Sequence, residues 1–131
     1  MRYNLKGILF IITVVIILGC NTIEPKDINI ELLNKEWVHS REEEKDSILV
    51  YRPIDYKEFP TSRYRQMYFF ADSGSCKYNV LSPYDAHYFE EGTWEYKEDE
   101  ILNIFNPQKQ LIISYKIITL KHDLLELLQL N

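Results

Sequence analysis

Eight polar residues carry whatever chemistry this chain can do: His39, Glu42, Glu43, Arg52, Arg63 and Arg65, followed at a distance by Asp85 and His87. Arginine presents a rigid fork of donors that matches a carboxylate, so the three arginines suit either an anionic ligand head or ordinary ion pairs with Glu42 and Glu43. Glu43 and Arg52 flank a turn between two strands, which brings them within reach of each other. The excursion between Ile54 and Tyr64 is long enough to fold Arg63 back over both. Two uses therefore compete. Surface ion pairs contribute at most about 1 kcal/mol each, whereas a ligand or partner site would be framed by His39, Glu43, Arg52, Arg63, Arg65 and His87.

Catalysis is poorly served. The chain has only four glycines, with no Gly-x-Ser-x-Gly elbow and no phosphate loop. Ser40 beside His39 is adjacency without geometry, and the consecutive carboxylates Glu42, Glu43 and Glu44 diverge on an extended chain. No enzyme is expected. His39, His87 and His122 fall on separate segments without a His-x-His or paired-Cys signature, so no metal site is expected. A haem iron would need an inward-facing histidine, and His39 is the one candidate by face; the expectation is that there is no cofactor. Cys76 has no His or acid close in sequence, and reactivity needs an electropositive setting, so it reads as a small strand residue.

The elements that must position these groups are strands. Trp94 and Tyr96 share one face, Thr93, Glu95 and Lys97 the other, and after a charged turn Leu102 and Ile104 resume the alternation of a half-buried strand. The same reading places strands from Trp37, at Ser47–Arg52, Arg65–Ala71, Ser75–Leu81, His87–Lys97, Ile101–Phe105, Gln110–Leu120 and Leu124–Leu130. Asp27 is expected to cap one or two helical turns through Leu33. The face-mates of Trp37 are His39, Arg41 and Glu43, so either that strand leaves the sheet near Ser40 or those side chains line a wet mouth. Ile54–Tyr64 follows Pro53, holds Pro60, shows no alternation and reads as an excursion outside the sheet.

Eight strands without intervening helices predict an all-β, antiparallel, up-and-down closed barrel with a short N-terminal helical turn, because closure removes exposed edges. A two-sheet sandwich is the alternative. The expected core includes Trp37, Phe69, Val80, Trp94, Leu102, Ile104, Leu120 and Leu127.

The N-terminus speaks to location. Arg2 and Lys6 precede an apolar run from Ile8 to Leu18 that would rise about 16 Å as a helix, short of a bilayer core of about 30 Å. It reads as a signal peptide over residues 1–19. Ile17-Leu18-Gly19-Cys20 resembles a bacterial lipobox, making Cys20 the lipidated residue and 20–26 a tether to a domain at 27–131. Loss of residues 1–19 leaves 112 residues with 13 basic and 20 acidic side chains. A chain so acidic is not expected to bind nucleic acid. The membrane partner would be reached through the acyl chains, in a bacterial cell envelope, and Asn21 in place of a retaining Asp favours the outer membrane over the inner. With Cys20 used, Cys76 has no disulfide partner.

From about Leu32 to Leu130 the chain resembles the small bacterial lipocalin-like lipoproteins. The resemblance lies in a helical turn leading into Trp37, Phe69-Phe70 before the Asp72-Ser73-Gly74 turn, Gly92-x-Trp94, and Ile117-Ile118-Thr119-Leu120 leading to Leu125-Glu126-Leu127. Lys35 stands where typical lipocalins have a glycine, and no arginine is available to pack over Trp37 from near the last strand. The resemblance implies a binding module for a small apolar or amphipathic ligand. The alternative is a filled barrel that acts as an adaptor or inhibitor, presenting its loops to another envelope protein.

Overall fold

Alternation builds eight strands in a computed structural model that describes residues 26–84 and 86–131. The expected signal peptide, Cys20, the expected tether up to residue 25 and Asp85 lie outside the described residues. The strands are β1 Glu36–His39, β2 Ile48–Pro53, β3 Met67–Phe70, β4 Ser75–Leu81, β5 His87–Lys97, β6 Ile101–Phe105, β7 Leu111–Lys121 and β8 Leu124–Leu130. They close into an antiparallel barrel in the order β1-β2-β8-β7-β6-β5-β4-β3. β1 lies between β2 and β3 and pairs with both, so the connection from β2 to β3 must pass outside β1. This excursion is a strap, and it is the segment that organises the polar residues.

Aromatic rings fill the barrel axis. Tyr51 meets Tyr68 at 5.7 Å between ring centroids, Tyr68 meets Phe70 at 5.5 Å and Tyr115 at 6.2 Å, and Phe70 meets Trp94 edge-on at 5.8 Å. Such offset and edge contacts add to the burial of large apolar area. The Tyr68 and Tyr115 hydroxyls satisfy each other at 2.8 Å, as buried hydroxyls must. Leu33, Leu102, Ile104, Ile117, Leu125 and Leu127 are fully buried around this column.

Of the expected core, Trp37, Leu102, Ile104 and Leu127 are buried, while Val80, Trp94 and Leu120 are partly buried and packed against it. Phe69 is a correction. It is 43% exposed while Phe70 is 1% exposed, because Tyr68 lies opposite Trp37 in the β1–β3 register and Phe70 shares its parity. A strand turns alternate residues to opposite faces, so of two consecutive phenylalanines only one can enter the core.

The N-terminal turn differs in its cap. It is a 3₁₀ turn over Ile30–Leu33, capped by Asn29, whose side chain accepts from the Glu31 amide at 3.2 Å, not by Asp27. It sets Leu33 so that the Trp37 indole donates to its carbonyl at 2.9 Å. Lys35 lies over the Trp37 ring at 5.4 Å and donates to the His122 carbonyl in the β7–β8 turn at 2.8 Å. The cation over Trp37 thus comes from the position where a glycine would be usual.

Gly92 is needed where β5 changes partner. Residues 87–93 of β5 pair with β4, and residues 93–97 pair with β6. A Cβ at Gly92 would sit 2.0 Å from the Phe105 carbonyl oxygen. The backbones approach that closely only because glycine has no side chain there.

Candidate functional site

β1 ends at His39 because the residues after it are polar and the chain needs to turn. Ser40 is fully buried, and Arg41–Glu43 form a 3₁₀ turn. Three consecutive carboxylates leave this turn in different directions, and each meets its own partner. Glu42 pairs with Arg65, Glu43 with Arg52 and with Lys57, and Glu44 with His39. The polar run after Trp37 therefore leaves the sheet and does not line a wet mouth.

Glu43 is the centre of the group. Arg52 grips it through Nη2 at 2.7 Å and Nε at 3.0 Å, the Ser40 hydroxyl donates to it at 2.6 Å, and Lys57 reaches it at 3.4 Å. Arg52 then Ser40 stabilise the anion and hold the Glu43 carboxyl down at about 2 despite partial burial. The Arg65 guanidinium likewise holds Glu42 at about 2. Arg52 also lies over the Tyr56 ring at 4.3 Å and donates to the Asp123 carbonyl at 2.9 Å. Arg65 donates to the carbonyls of His39 at 2.8 Å and Pro60 at 2.7 Å. These bonds staple both limbs of the strap, residues 54–66, to the turn after β1.

The returning limb is pinned a second time. Asn79 of β4 is buried; its amide donates to the Arg65 carbonyl at 2.6 Å, and its side-chain oxygen accepts from the Met67 amide at 2.8 Å and from Gln66 at 2.8 Å. The Tyr64 hydroxyl donates to the Asn79 carbonyl at 2.9 Å. Between this limb and the outer side of β4 and β5 runs a groove of about 410 Å³, lined by Phe59, Pro60, Tyr64, Met67 and Phe89 with Arg63, Arg65 and His87 at its polar positions. The His87 ring lies 5.5 Å from that of Tyr64.

The six residues expected to frame a site thus divide. His39, Glu43, Arg52 and Arg65 gather at the turn after β1, with Arg65 also reaching the groove. Arg63 and His87 lie in the groove, so Arg63 does not fold back over Glu43 and Arg52, and Lys57 takes that place. Lys57, Glu44, Tyr64 and Asn79 are the functional contacts that sequence spacing does not mark, since each acts across at least one change of element. His39 stacks on Tyr51 at 5.1 Å and faces Glu44, which occupies the one inward histidine. Burial pushes the Cys76 thiol up to about 11, which makes it a poor nucleophile. Among the described residues no three His, Cys, Asp or Glu side chains converge as metal ligands.

No curated protein and no solved structure matches the chain. A family model described as a lipocalin-like domain matches residues 33–127, a span that runs from the buried Leu33 beneath Trp37 to the buried Leu127 of β8 and takes in the aromatic column, the strap and the groove. With the closed eight-stranded barrel, that match places this chain in the lipocalin-like domain family.

Proposed function

We propose that this protein is a non-enzymatic binding module, lipid-anchored through Cys20 in a bacterial envelope, whose ligand is an amphipathic molecule with an anionic head. The observation that carries the reading is the groove under the strap. Its volume of about 410 Å³ falls in the range of small-molecule sites, which are mostly apolar with a few convergent polar groups. Phe59, Tyr64, Met67 and Phe89 offer the apolar wall, and Arg63 is exposed there while Arg52 and Arg65 are engaged by Glu43 and Glu42. A fatty-acid probe titrated against the purified protein is expected to saturate, and Arg63→Ala to weaken it about tenfold, or about 1.4 kcal/mol. Equal affinity in Arg63→Ala, with Lys121→Ala as the charge control, would remove the groove from consideration. Cys20→Ser is expected to release the protein from membranes; retention at wild-type levels would show the apolar leader to be the anchor.

A second reading, an adaptor that meets an envelope protein through its loops, draws support from the filled axis. The column from Tyr51 to Trp94 occupies the space in which a central ligand would sit. Co-purification of a protein partner with no small molecule bound would favour it.

A further inference from the structure

Among the described residues, the first half of β5 has a neighbour on one side only. Residues 87–93 pair with β4, β6 reaches no further than Thr93 opposite Phe105, and the chain beyond Phe105 turns away, the Asn106 amide donating to the Gln110 carbonyl at 2.9 Å. An open edge of five residues, His87–Glu91, remains among the described residues. The Trp94 amide donates to Gly74 on the β4 side at 2.8 Å. Alternation from that bond directs the backbone groups of Gly92, Glu90 and Tyr88 to β4, and those of Glu91, Phe89 and His87 to the open edge. Neither proline nor lysine guards the edge, and exposed apolar side chains crowd it: Tyr88 is 47%, Phe89 55% and Leu81 52% exposed. Unpaired edges of this kind are templates for another strand.

We propose that this edge pairs antiparallel with the same edge of a second copy of the chain, about a two-fold axis at Phe89. A two-fold axis through the sheet requires facing residues to share a face, which leaves few registers. Centring on Glu90 would set that carboxylate against itself, and like charges directly opposite are destabilising. Centring on Phe89 places His87 opposite Glu91 of the second copy, Tyr88 opposite Glu90, and Phe89 opposite Phe89. Within its own chain Glu90 already accepts from the Tyr78 hydroxyl at 2.8 Å and Glu91 pairs with Lys77 at 3.2 Å; this register adds a second donor opposite each, and the aromatic rings meet at the axis. The register also joins the three outward residues of each copy as hydrogen-bonded pairs, satisfying their amides and carbonyls. An unrelated strand would lack the His87 and Tyr88 donors that the second copy sets opposite these carboxylates. The contact is a short one, well below the area of a standard stable interface, so the pairing is a weak, reversible one that is best trapped covalently. It does not depend on the ligand reading, since it uses the backbone edge of β5.

Paired residues in a hydrogen-bonded antiparallel site lie about 5.5 Å apart at Cα, within disulfide range. Full-length Phe89→Cys, oxidised by copper phenanthroline in its own membranes, is expected to give a cross-linked dimer as the main product. The wild type and Lys77→Cys, on the outer side of β4 one strand in from the edge and opposite Glu91, are expected to stay monomeric. Adding Glu91→Pro to Phe89→Cys removes an edge amide while sparing the β4 ladder, and is expected to cut cross-linking at least about fivefold. Arg63→Ala should leave cross-linking unchanged, which separates this result from failure of the groove. Cross-linking of Phe89→Cys no greater than that of Lys77→Cys, or unaffected by Glu91→Pro, would overturn the proposal.

Discussion

Arg52 and Glu43 meet through two guanidinium nitrogens, at 2.7 and 3.0 Å, at a sequence separation of nine. The guanidinium is half-buried beneath Tyr56 and also holds the β7–β8 turn at the Asp123 carbonyl. One side chain thus ties the β1–β2 turn, the departing limb of the strap and the far hairpin together. Hydrogen bonds to charged groups contribute about 1.5–3 kcal/mol, and a partly buried carboxylate left alone costs more than an exposed one. Arg52→Gln is expected to lower unfolding stability by about that amount. Denaturant titration should show the midpoint fall with an unchanged slope.

Acid should release the strap before it melts the barrel. Glu43 and Glu42 are held at about 2 against an ordinary 4.5, so the unfolded form binds more protons between those values. Their stabilising contribution is complete above about pH 4.5 and is lost as pH falls toward 2. Hydrogen exchange of residues 54–66, corrected for intrinsic rate, is expected to rise across that window while β6 and β8 stay protected. In Glu43→Gln the pH dependence should be reduced; a strap whose protection is flat from pH 5 to pH 2 would contradict the assignment.

Gly92→Ala tests the crossing of β5 and β6. Its methyl group would lie 2.0 Å from the Phe105 carbonyl oxygen and 3.0 Å from the Tyr78 ring. The nearer neighbour is backbone paired in a ladder and cannot rotate aside. A loss of about 3 kcal/mol or more is expected, at the upper end of overpacking costs. A thermal melt within a few degrees of wild type would show that the two strands separate there at little cost.

Phe69 and Phe70 should answer to the same substitution very differently. Phe70 touches Tyr68 and Trp94 in the aromatic column, so Phe70→Ala is expected to cost about 3–5 kcal/mol. Phe69 faces outward from β3, and Phe69→Ala is expected to stay within about 0.5 kcal/mol, as surface changes do. Parallel urea titrations of the two variants decide it; equal losses would mean that the β1–β3 register is wrong.

Local pattern alone determined which segments are strands. The bounds expected for β4, β5, β6 and β8 coincide with those found, because period-two alternation is written residue by residue and needs no knowledge of the rest of the chain. That the polar residues after Trp37 either leave the sheet near Ser40 or line a wet mouth was equally legible, since charged side chains cannot follow Trp37 into a dry interior, but only the structure selects the departure. Only tertiary structure decided which of Phe69 and Phe70 turns inward: two adjacent apolar residues satisfy alternation in either phase, and pairing of Tyr68 with Trp37 selects one. The same holds for the strap. Its polar composition predicts an excursion, but its path across β1 follows from β2 and β3 flanking that strand, a long-range pairing with no local signature. That path sends Lys57 to Glu43 and Arg65 to Glu42, leaves Arg63 with His87 in the groove, and buries Asn79 beneath Gln66. Sequence supplied the charges; the crossing of one strand by one connection assigned their partners, because ion pairs form only between groups that the backbone has already brought together.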